Sequence, residues 1–278
     1  PFMEGYEGLG DASGLDTTPD LDFDSPTGIP SADSSAYHVT VRRAAELLDL
    51  QLPVKEVKPN LLTEVLMATP YTNEPLLPFH EAVGDPVLQV WEKPASAPAV
   101  NRSLARRYRA APGDPAFLSS HPTPESLVIQ ASCSAKGVSF PSTPSDRDSK
   151  KVEQQAKKLF SSGSMGLKSV NASCLMGRYI HALLVNAQKF LPYLPEDKKS
   201  DFRELVTDGQ CAAQQVIQAG LDTADSLARS MGTAVVMRRQ AWLRGSGFSQ
   251  DVQTKLLDLP FDGAKLFGDK ADSALERF

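Results

Sequence analysis

The stretch that decides the fold is Asp146–Arg244, which reads DRDSKKVEQQAKKLFSSGSMGLKSVNASCLMGRYIHALLVNAQKFL up to residue 191 and EDKKSDFRELVTDGQCAAQQVIQAGLDTADSLARSMGTAVVMRRQAWLR from residue 196. Apolar or small residues recur every three or four positions in both parts, the spacing of one face of an α-helix. PYLP at 192–195 interrupts the pattern, because proline is excluded from helix interiors. We predict a helical hairpin over 145–244, with two long arms and one tight turn.

Start signals mark both arms of the predicted hairpin. Asp146 is a favourable N-cap for the first arm, since its carboxylate can accept bonds from free backbone N–H groups. Glu196 and Asp197 place negative charge in the first turn of the second arm, where the helix dipole favours it. The two arms are therefore predicted to begin close to these residues.

Small and apolar residues follow heptad spacing along the second arm, which is typical of coiled-coil packing. Six glycines fall inside the arms, so their helix-propensity cost of about 1 kcal/mol each has to be offset by close packing. The candidate seam residues are Leu159, Leu167, Val170, Cys174, Leu184, Val216, Gly220, Leu227 and Ala234. Further apolar positions flank them, so each arm could serve two neighbours.

A two-helix hairpin cannot cover all of this apolar surface by itself. Basic residues lie at the open end of the hairpin and acidic residues, including Glu204 and Asp208, lie near its turn, which favours a second copy docked head to tail. We therefore predict an all-α protein in which two hairpins form an antiparallel four-stranded coiled coil as a homodimer. The alternative is an intramolecular bundle completed by helices from the first half of the chain.

The prolines divide the chain. Eighteen of the 21 lie before Ser145, so a proline-punctuated half precedes the helical half. Residues 1–36 are acidic and contain no Lys or Arg, which predicts a disordered segment. We expect short helices over 37–93, with a core that includes Leu77, Phe79 and Trp91. A mostly extended linker is predicted over 94–144, with one strand in LVIQAS from Leu127.

One basic cluster stands out in the linker: Arg102, Arg106, Arg107 and Arg109 surround Tyr108. Arginine interleaved with an aromatic residue can contact nucleic-acid phosphates and bases. However, the sequence pI of about 5.5 is not that of a dedicated nucleic-acid-binding protein. A solvated or protein-facing helix is the competing interpretation.

None of the common nucleophile, phosphate-binding or zinc signatures occurs in the sequence. Four histidines are scattered singly, and the three cysteines lack metal-ligand spacing. We predict no catalytic residue, no metal and no cofactor, and reduced thiols in an intracellular protein. No run of apolar residues approaches the length of a membrane span, and no signal peptide is visible, so no membrane association is expected.

The tail over 245–278 contains a Ser-Gly turn, a short helix and several aromatic residues. These aromatics are expected to fold back on the hairpin near Trp242. The alternative is an exposed docking motif for a partner, because exposed apolar patches often mark interaction sites. The candidate partner-binding residues of this end are Arg238, Arg239, Trp242, Phe248 and Phe267.

Three strings carry a resemblance to a known family. They are NRSLARRYRAAPGDPAFLSSHPTPESLVIQAS from Asn101, PSDRDSKKVEQQAKKLFSSGS from Pro144, and RRQAWLRGSGFSQDVQTKLLDLPFDGAKLFGDK from Arg238. The last is the most specific, because its order of Trp242, Gly247, Phe248, LLDLPFDG and Phe267 is long. The chain resembles the C-terminal domain of the alpha isoform of lamina-associated polypeptide two, and also the related gag-like proteins of DIRS-type retroelements.

The resemblance implies a non-enzymatic, mostly helical homodimer whose long helices form an antiparallel four-stranded coiled coil. For the lamina-associated proteins it also implies a nucleoplasmic location, binding to A-type lamins and links to chromatin-associated proteins. For the retroelement proteins it implies self-assembly into a particle that packages nucleic acid. The two hypotheses imply the same fold and differ in the partners that the protein binds.

Overall fold

The computed structural model describes residues 34–56, 73–126, 128–130, 143–244 and 246–268. The protein is all-α in class, and two very long helices dominate it. Residues 1–33 of the predicted disordered segment and residues 57–72 of the predicted short-helix region lie outside the described residues, while residues 34–36 begin a helix.

The first half of the chain carries small elements. Helix α1 is Ser34–Leu47, and strands β1 (Val54–Glu56) and β2 (Asn73–Pro75) pair antiparallel. Helix α2 is Glu81–Trp91 and helix α3 is Arg102–Arg107. A 3₁₀ turn covers Ala116–Leu118.

Helix α4 spans Arg147–Ala187, and a 3₁₀ segment, Gln188–Tyr193, extends it to the turn. Helix α5 runs back over Glu196–Leu243, and helix α6, Gln250–Leu257, follows. The hairpin predicted from the sequence is therefore present. Its start signals are also used: Asp146 caps α4 by accepting a 2.9 Å bond from the Ser149 N–H, and α5 begins directly after Pro195.

The two arms approach closely because small residues line the seam between them. A Cβ built on Gly163 would lie 2.5 Å from Met231 Cγ, and one on Gly166 would lie 2.8 Å from a Leu227 methyl. Gly209 is closed in the same way by Leu184. Large side chains on one arm thus fill the space that glycines on the other leave, and the predicted close packing is observed at five of the six helical glycines but not at Gly232.

The main hydrophobic core sits at the open end of the hairpin, which we call the base. It joins the start of α4 and the end of α5 to residues 128–129 and to the tail. Its buried members are Val128, Ile129, Ala156, Phe160, Met231, Ala234, Val235, Trp242, Leu243, Leu256, Leu266 and Phe267. The tail aromatics therefore fold back near Trp242, as predicted.

Three predictions for the first half differ from the structure. Leu77, Phe79 and Trp91 do not form a core: all three are exposed, and α2 has no buried residue. Residues 94–144 are not simply extended, because α3 and the 3₁₀ turn lie within them. Residues 128–130, the described part of the predicted strand, are helical. Local apolar spacing identified helices here but not what they pack against.

The seam geometry generates a prediction for two glycines of α5. A Cβ at Gly220 would overlap Cys174 Sγ, whereas one at Gly232 meets nothing within 4 Å. Gly232→Ala should stabilise the protein by up to about 1 kcal/mol through helix propensity. Gly220→Ala should be less stable than Gly232→Ala by roughly 1–3 kcal/mol, because the tight seam is overfilled. Urea unfolding measures both, and equal stabilities would show that the seam is not tight.

Candidate interaction surfaces

The outer side of α4 carries an uncharged line of residues that is separate from the seam. It runs through Ser173, Met176, Ile180, Leu183 and Ala187 and continues to Phe190 in the 3₁₀ segment, with steps of three and four residues. This is heptad spacing, the pattern by which one helix packs along another. We call it the α4 outer line. The α5 arm does not cover it, since Met176 and Phe190 are 60% and 64% exposed.

Helix α5 has a matching line, the α5 outer line. It consists of Leu205, Ala212, Val216, Ala219 and Thr223, with Gly209 of the seam completing the steps of four and three, and it carries no charge. Leu205 is 67% exposed. Val216 reaches the seam, where its methyl would lie 3.4 Å from a Cβ on Gly177, yet about half of it remains exposed.

Both outer lines lie on the same side of the hairpin. In α4, Met176 and Leu183 come one residue before the seam residues Gly177 and Leu184, and in α5, Ala212 comes one before Ala213. Antiparallel helices are related by a local twofold axis perpendicular to their common plane, so an equal shift places both lines on one face. The turn half of the hairpin thus presents one continuous apolar face.

Charges are balanced within the chain more than the sequence suggests. Near the turn, Glu196 pairs with Lys199 and Asp197 with Lys198, while Arg43 of α1 pairs with Asp208. At the base, Arg238 and Lys157 share Glu153. Fewer free charges remain for the predicted head-to-tail attraction, so apolar burial is the stronger basis for choosing a partner.

The base holds a buried ion pair. Arg238 donates to both oxygens of Glu153 at 2.9–3.1 Å, and both side chains are almost fully buried. Lys157 Nζ, 3.1 Å from Glu153 Oε1, adds a second positive charge at its edge. A buried pair of this kind need not be net stabilising, but removing one partner leaves the other charge uncompensated.

Arg239 fastens the tail to the hairpin. Its guanidinium donates to the carbonyl oxygens of Leu266 at 2.7 Å, Leu257 at 2.8 Å and Leu259 at 2.5 Å. It also lies 5.8 Å from the centre of the Phe267 ring. Burial lowers the pKa of Arg239, and Asp262 is the main opposing charge. A single side chain thus donates to carbonyl oxygens at both ends of the 257–266 stretch of the tail.

His121 joins the linker to α4. Its Nε2 lies 3.1 Å from the Lys157 carbonyl oxygen and 2.8 Å from Ser161 Oγ. Because a carbonyl oxygen only accepts, the tautomer protonated at Nε2 fits this site and donates to it. Burial lowers the pKa of His121 below its usual 6.5, and Arg238 and Lys157 act in the same direction. The arrangement therefore holds a neutral imidazole and leaves no base for activating Ser161.

The candidate seam residues mostly face the other arm of their own chain. Val170 and Cys174 lie opposite Gly220, Leu184 covers Gly209, and Leu227 covers Gly166. Leu167 and Ala234 belong to the base, while Leu159 is partly exposed. These residues are therefore placed at an intramolecular contact, and their role between two copies stays a prediction.

The candidate partner-binding residues are largely internal. Arg238, Arg239, Trp242 and Phe267 are at most 5% exposed, and Phe248 packs against the base core. Their burial favours the interpretation that the tail packs on the hairpin. A role in binding partners stays a prediction.

The outer lines are what the sequence reasoning largely missed. The candidate seam residues include Val216 of the outer lines but not Met176, Leu183 or Phe190. The signal was available as a second heptad repeat shifted by one residue from the first. In the sequence the two adjacent repeats look like one broad apolar stripe, so the second repeat is not distinguished from the first.

Across the described ranges, no cluster of His, Cys, Asp and Glu is arranged to hold a metal ion. In that same part of the chain, no helix is both long and apolar enough to cross a membrane. Cys174 and Cys211 are free thiols, and Cys133 lies outside the described residues.

A long helical hairpin with a self-contained base and an uncovered apolar face defines the class of helical interaction domains. The chain belongs to the lamina-associated polypeptide 2 alpha family, whose model matches residues 52–277. Among solved structures it is similar to one titled the dimerization domain of LAP2alpha, with 20% identity over 70% of this chain and 93% of that one and a TM-score of 0.31. No curated protein matches the chain.

The buried ion pair leads to a test of the base. Glu153→Ala should destabilise the protein by about 3–5 kcal/mol, because Arg238 would stay buried without its carboxylate. Denaturant unfolding measures the loss. The control is Asp225→Ala, which breaks the exposed pair with Arg229 and should change stability little. A Glu153→Ala protein as stable as this control would contradict the structural role of the pair.

His121 gives a pH prediction. Its folded-state pKa is lowered, so its contribution to stability is complete above 6.5 and is lost as the pH falls through the folded value. Between about pH 7.5 and pH 5, the wild type should therefore lose stability, and His121→Asn should lose less. Asp146 and Asp262, whose pKa values lie below 3.8, titrate at lower pH. Parallel stability curves for the two proteins would refute the assignment.

Proposed function

We propose that this protein is a non-enzymatic scaffold that self-associates through the outer lines of its hairpin. The observation that supports this best is the uncharged, exposed heptad repeat on both arms, on the same side. Two such faces can bury each other as an antiparallel four-helix coiled coil. The occupant of the face is therefore a second copy of this chain.

The position of the outer lines favours overlap of the two turn halves. They cover residues 173–190 of the first arm and 205–223 of the second, while the base is already packed by the tail. Burying a large apolar side chain completely is worth up to about 1.5–3 kcal/mol. Each copy would bury several such residues and would have to desolvate few charged groups. This burial can offset the entropy cost of association.

The finer partners are proposed from family membership. We propose that the dimer binds A-type lamin and chromatin-associated proteins in the nucleoplasm. The gag-like alternative, self-assembly with nucleic acid into a particle, shares the same hairpin. A discrete dimer is expected for the scaffold, whereas particles that grow with protein concentration and nucleic acid would favour the gag-like protein.

Light scattering behind size exclusion tests the proposed face. The wild type should have twice the chain mass of 30.0 kDa. Leu183→Glu should give a monomer, because a carboxylate would be buried without a partner in the apolar face. Val185→Glu is the matched control, since Val185 is similarly exposed but lies 200° further around α4, away from the outer line.

Each outcome has a direct meaning for this test. A monomeric Leu183→Glu with a dimeric Val185→Glu supports the outer line as the interface. A wild-type monomer, or a Leu183→Glu protein that remains a dimer, would refute it. Circular dichroism of both variants establishes that the arms remain helical.

A further inference from the structure

The first half of the chain presents two surfaces that neither the hairpin nor the base covers. One is the basic cluster at α3, where Arg102, Arg106, Arg107 and Arg109 are all exposed. Contact between these arginines and nucleic acid stays a prediction. The other surface is apolar and lies on α2.

The apolar surface of α2 is a stripe along one side of the helix, which we call the α2 stripe. Its members, at the spacing of one helix face, are Val83, Val87, Val90 and Trp91. Val83, Val90 and Trp91 are 57%, 52% and 67% exposed. The two acidic residues of the helix, Glu81 and Asp85, lie about 160° around its axis from Val83. The helix therefore has one apolar and one charged side, and the apolar side is open.

Helix α2 needs cover for this stripe. It has 11 residues, and isolated helices shorter than about 12–15 residues are marginal in water. Pro86 inside the helix also removes one backbone hydrogen bond. Local interactions support its start, since His80 Nδ1 accepts a 3.1 Å bond from the Ala82 N–H. None of its residues is buried, however, so the missing stabilisation has to come from a segment that packs on the α2 stripe.

A complementary segment lies between the two strands. Residues 57–72 read VKPNLLTEVLMATPYT and contain two charged residues, Lys58 and Glu64. Their apolar residues include Leu61, Leu62, Val65 and Leu66, which again have the spacing of one helix face. Such an apolar sequence is as much in need of a covering surface as the α2 stripe is.

The strand pairing keeps this segment near α2. Glu56 pairs with Asn73, so both ends of 57–72 are held at one place. Val65 near the centre of the segment and Glu81 at the start of α2 are each eight residues from Asn73. Eight residues of chain span roughly 16 Å on average and about 27 Å at full extension. The segment and α2 thus have the same reach from a shared anchor, and a loop this short costs little entropy to close.

We propose that residues 57–72 dock on the α2 stripe of the same chain. The contact covers apolar side chains on both sides and removes few charges from water. The first half of the chain then has an apolar core of its own, separate from the base. A second copy of the chain and the outer lines of the hairpin are the competing occupants of the stripe.

Photo-cross-linking of the full chain tests this proposal. A benzophenone amino acid replaces either Val83, on the stripe, or Asp85, about 160° away on the charged side of α2. After irradiation, mass spectrometry should find position 83 joined to residues 57–72 about fivefold more often than position 85, because docking holds the segment at the stripe.

Mixed samples of isotopically labelled and unlabelled chain separate the alternatives. Cross-links within one isotope support docking in cis, whereas links between isotopes would overturn it in favour of contact between copies. Links from position 83 mainly to residues 173–190 or 205–223 would assign the stripe to the outer lines and would also overturn it. So would a yield at position 83 no higher than at position 85.

Tryptophan fluorescence gives a second readout. Of the two tryptophans, Trp242 is 5% exposed in the base, so acrylamide quenching reports mainly on Trp91. Leu62→Lys should raise quenching about twofold, because a buried, unpaired charge releases the segment and exposes the indole. Glu64→Lys is the control, since position 64 lies about 200° from Leu62 on a helix. Equal quenching in the two variants would contradict docking. Neither readout depends on the dimer, so this proposal and the proposed function can fail separately.

Discussion

The close approach of the two arms is the constraint on which the rest of the structure depends. Glycine at positions 163, 166, 177, 209 and 220 leaves no room for a Cβ without displacement of the facing side chain. A seam this narrow holds few large residues. The remaining apolar side chains, such as Leu183 and Leu205, are consequently displaced to its edge, where the hairpin cannot cover them.

The two halves of the hairpin differ in how these remaining apolar side chains are covered. At the base, the tail and residues 128–129 supply the missing cover, while Arg238 pairs with Glu153 and Arg239 donates to carbonyl oxygens of the tail. Buried charges of this kind tolerate only one arrangement, because each needs its own partner. The base is therefore complete within one chain, whereas the turn half keeps an apolar face of heptad spacing uncovered.

The sequence predicted the parts of this fold that depend on local chemistry. Asp146 and Pro195 mark helix starts through their own local chemistry, whatever the helices pack against. The tail aromatics were predicted to pack near Trp242. The sequence could not predict in the same way which apolar stripe faces the other arm and which stays exposed. Two heptad lines one residue apart merge in a helical projection, and only the position of the other arm separates Cys174, in the seam, from Ser173, on the outer line. The exposed apolar residues of α2 show the same limit, since periodicity identifies a helix but not its neighbour.

The difference between the covered base and the uncovered turn half also bears on how two copies would be oriented. From the sequence, acidic residues at the turn and basic residues at the base suggested full-length, head-to-tail overlap. In the structure several of these charges, among them Glu196, Asp208 and Arg238, already have partners on their own chain, and the base is sterically occupied by its own tail. Salt bridges at the surface contribute little even when they form, whereas apolar area contributes in proportion to what is buried. Orientation should therefore follow from the outer lines, which bring two turn halves together and leave the two bases at opposite ends of an elongated assembly.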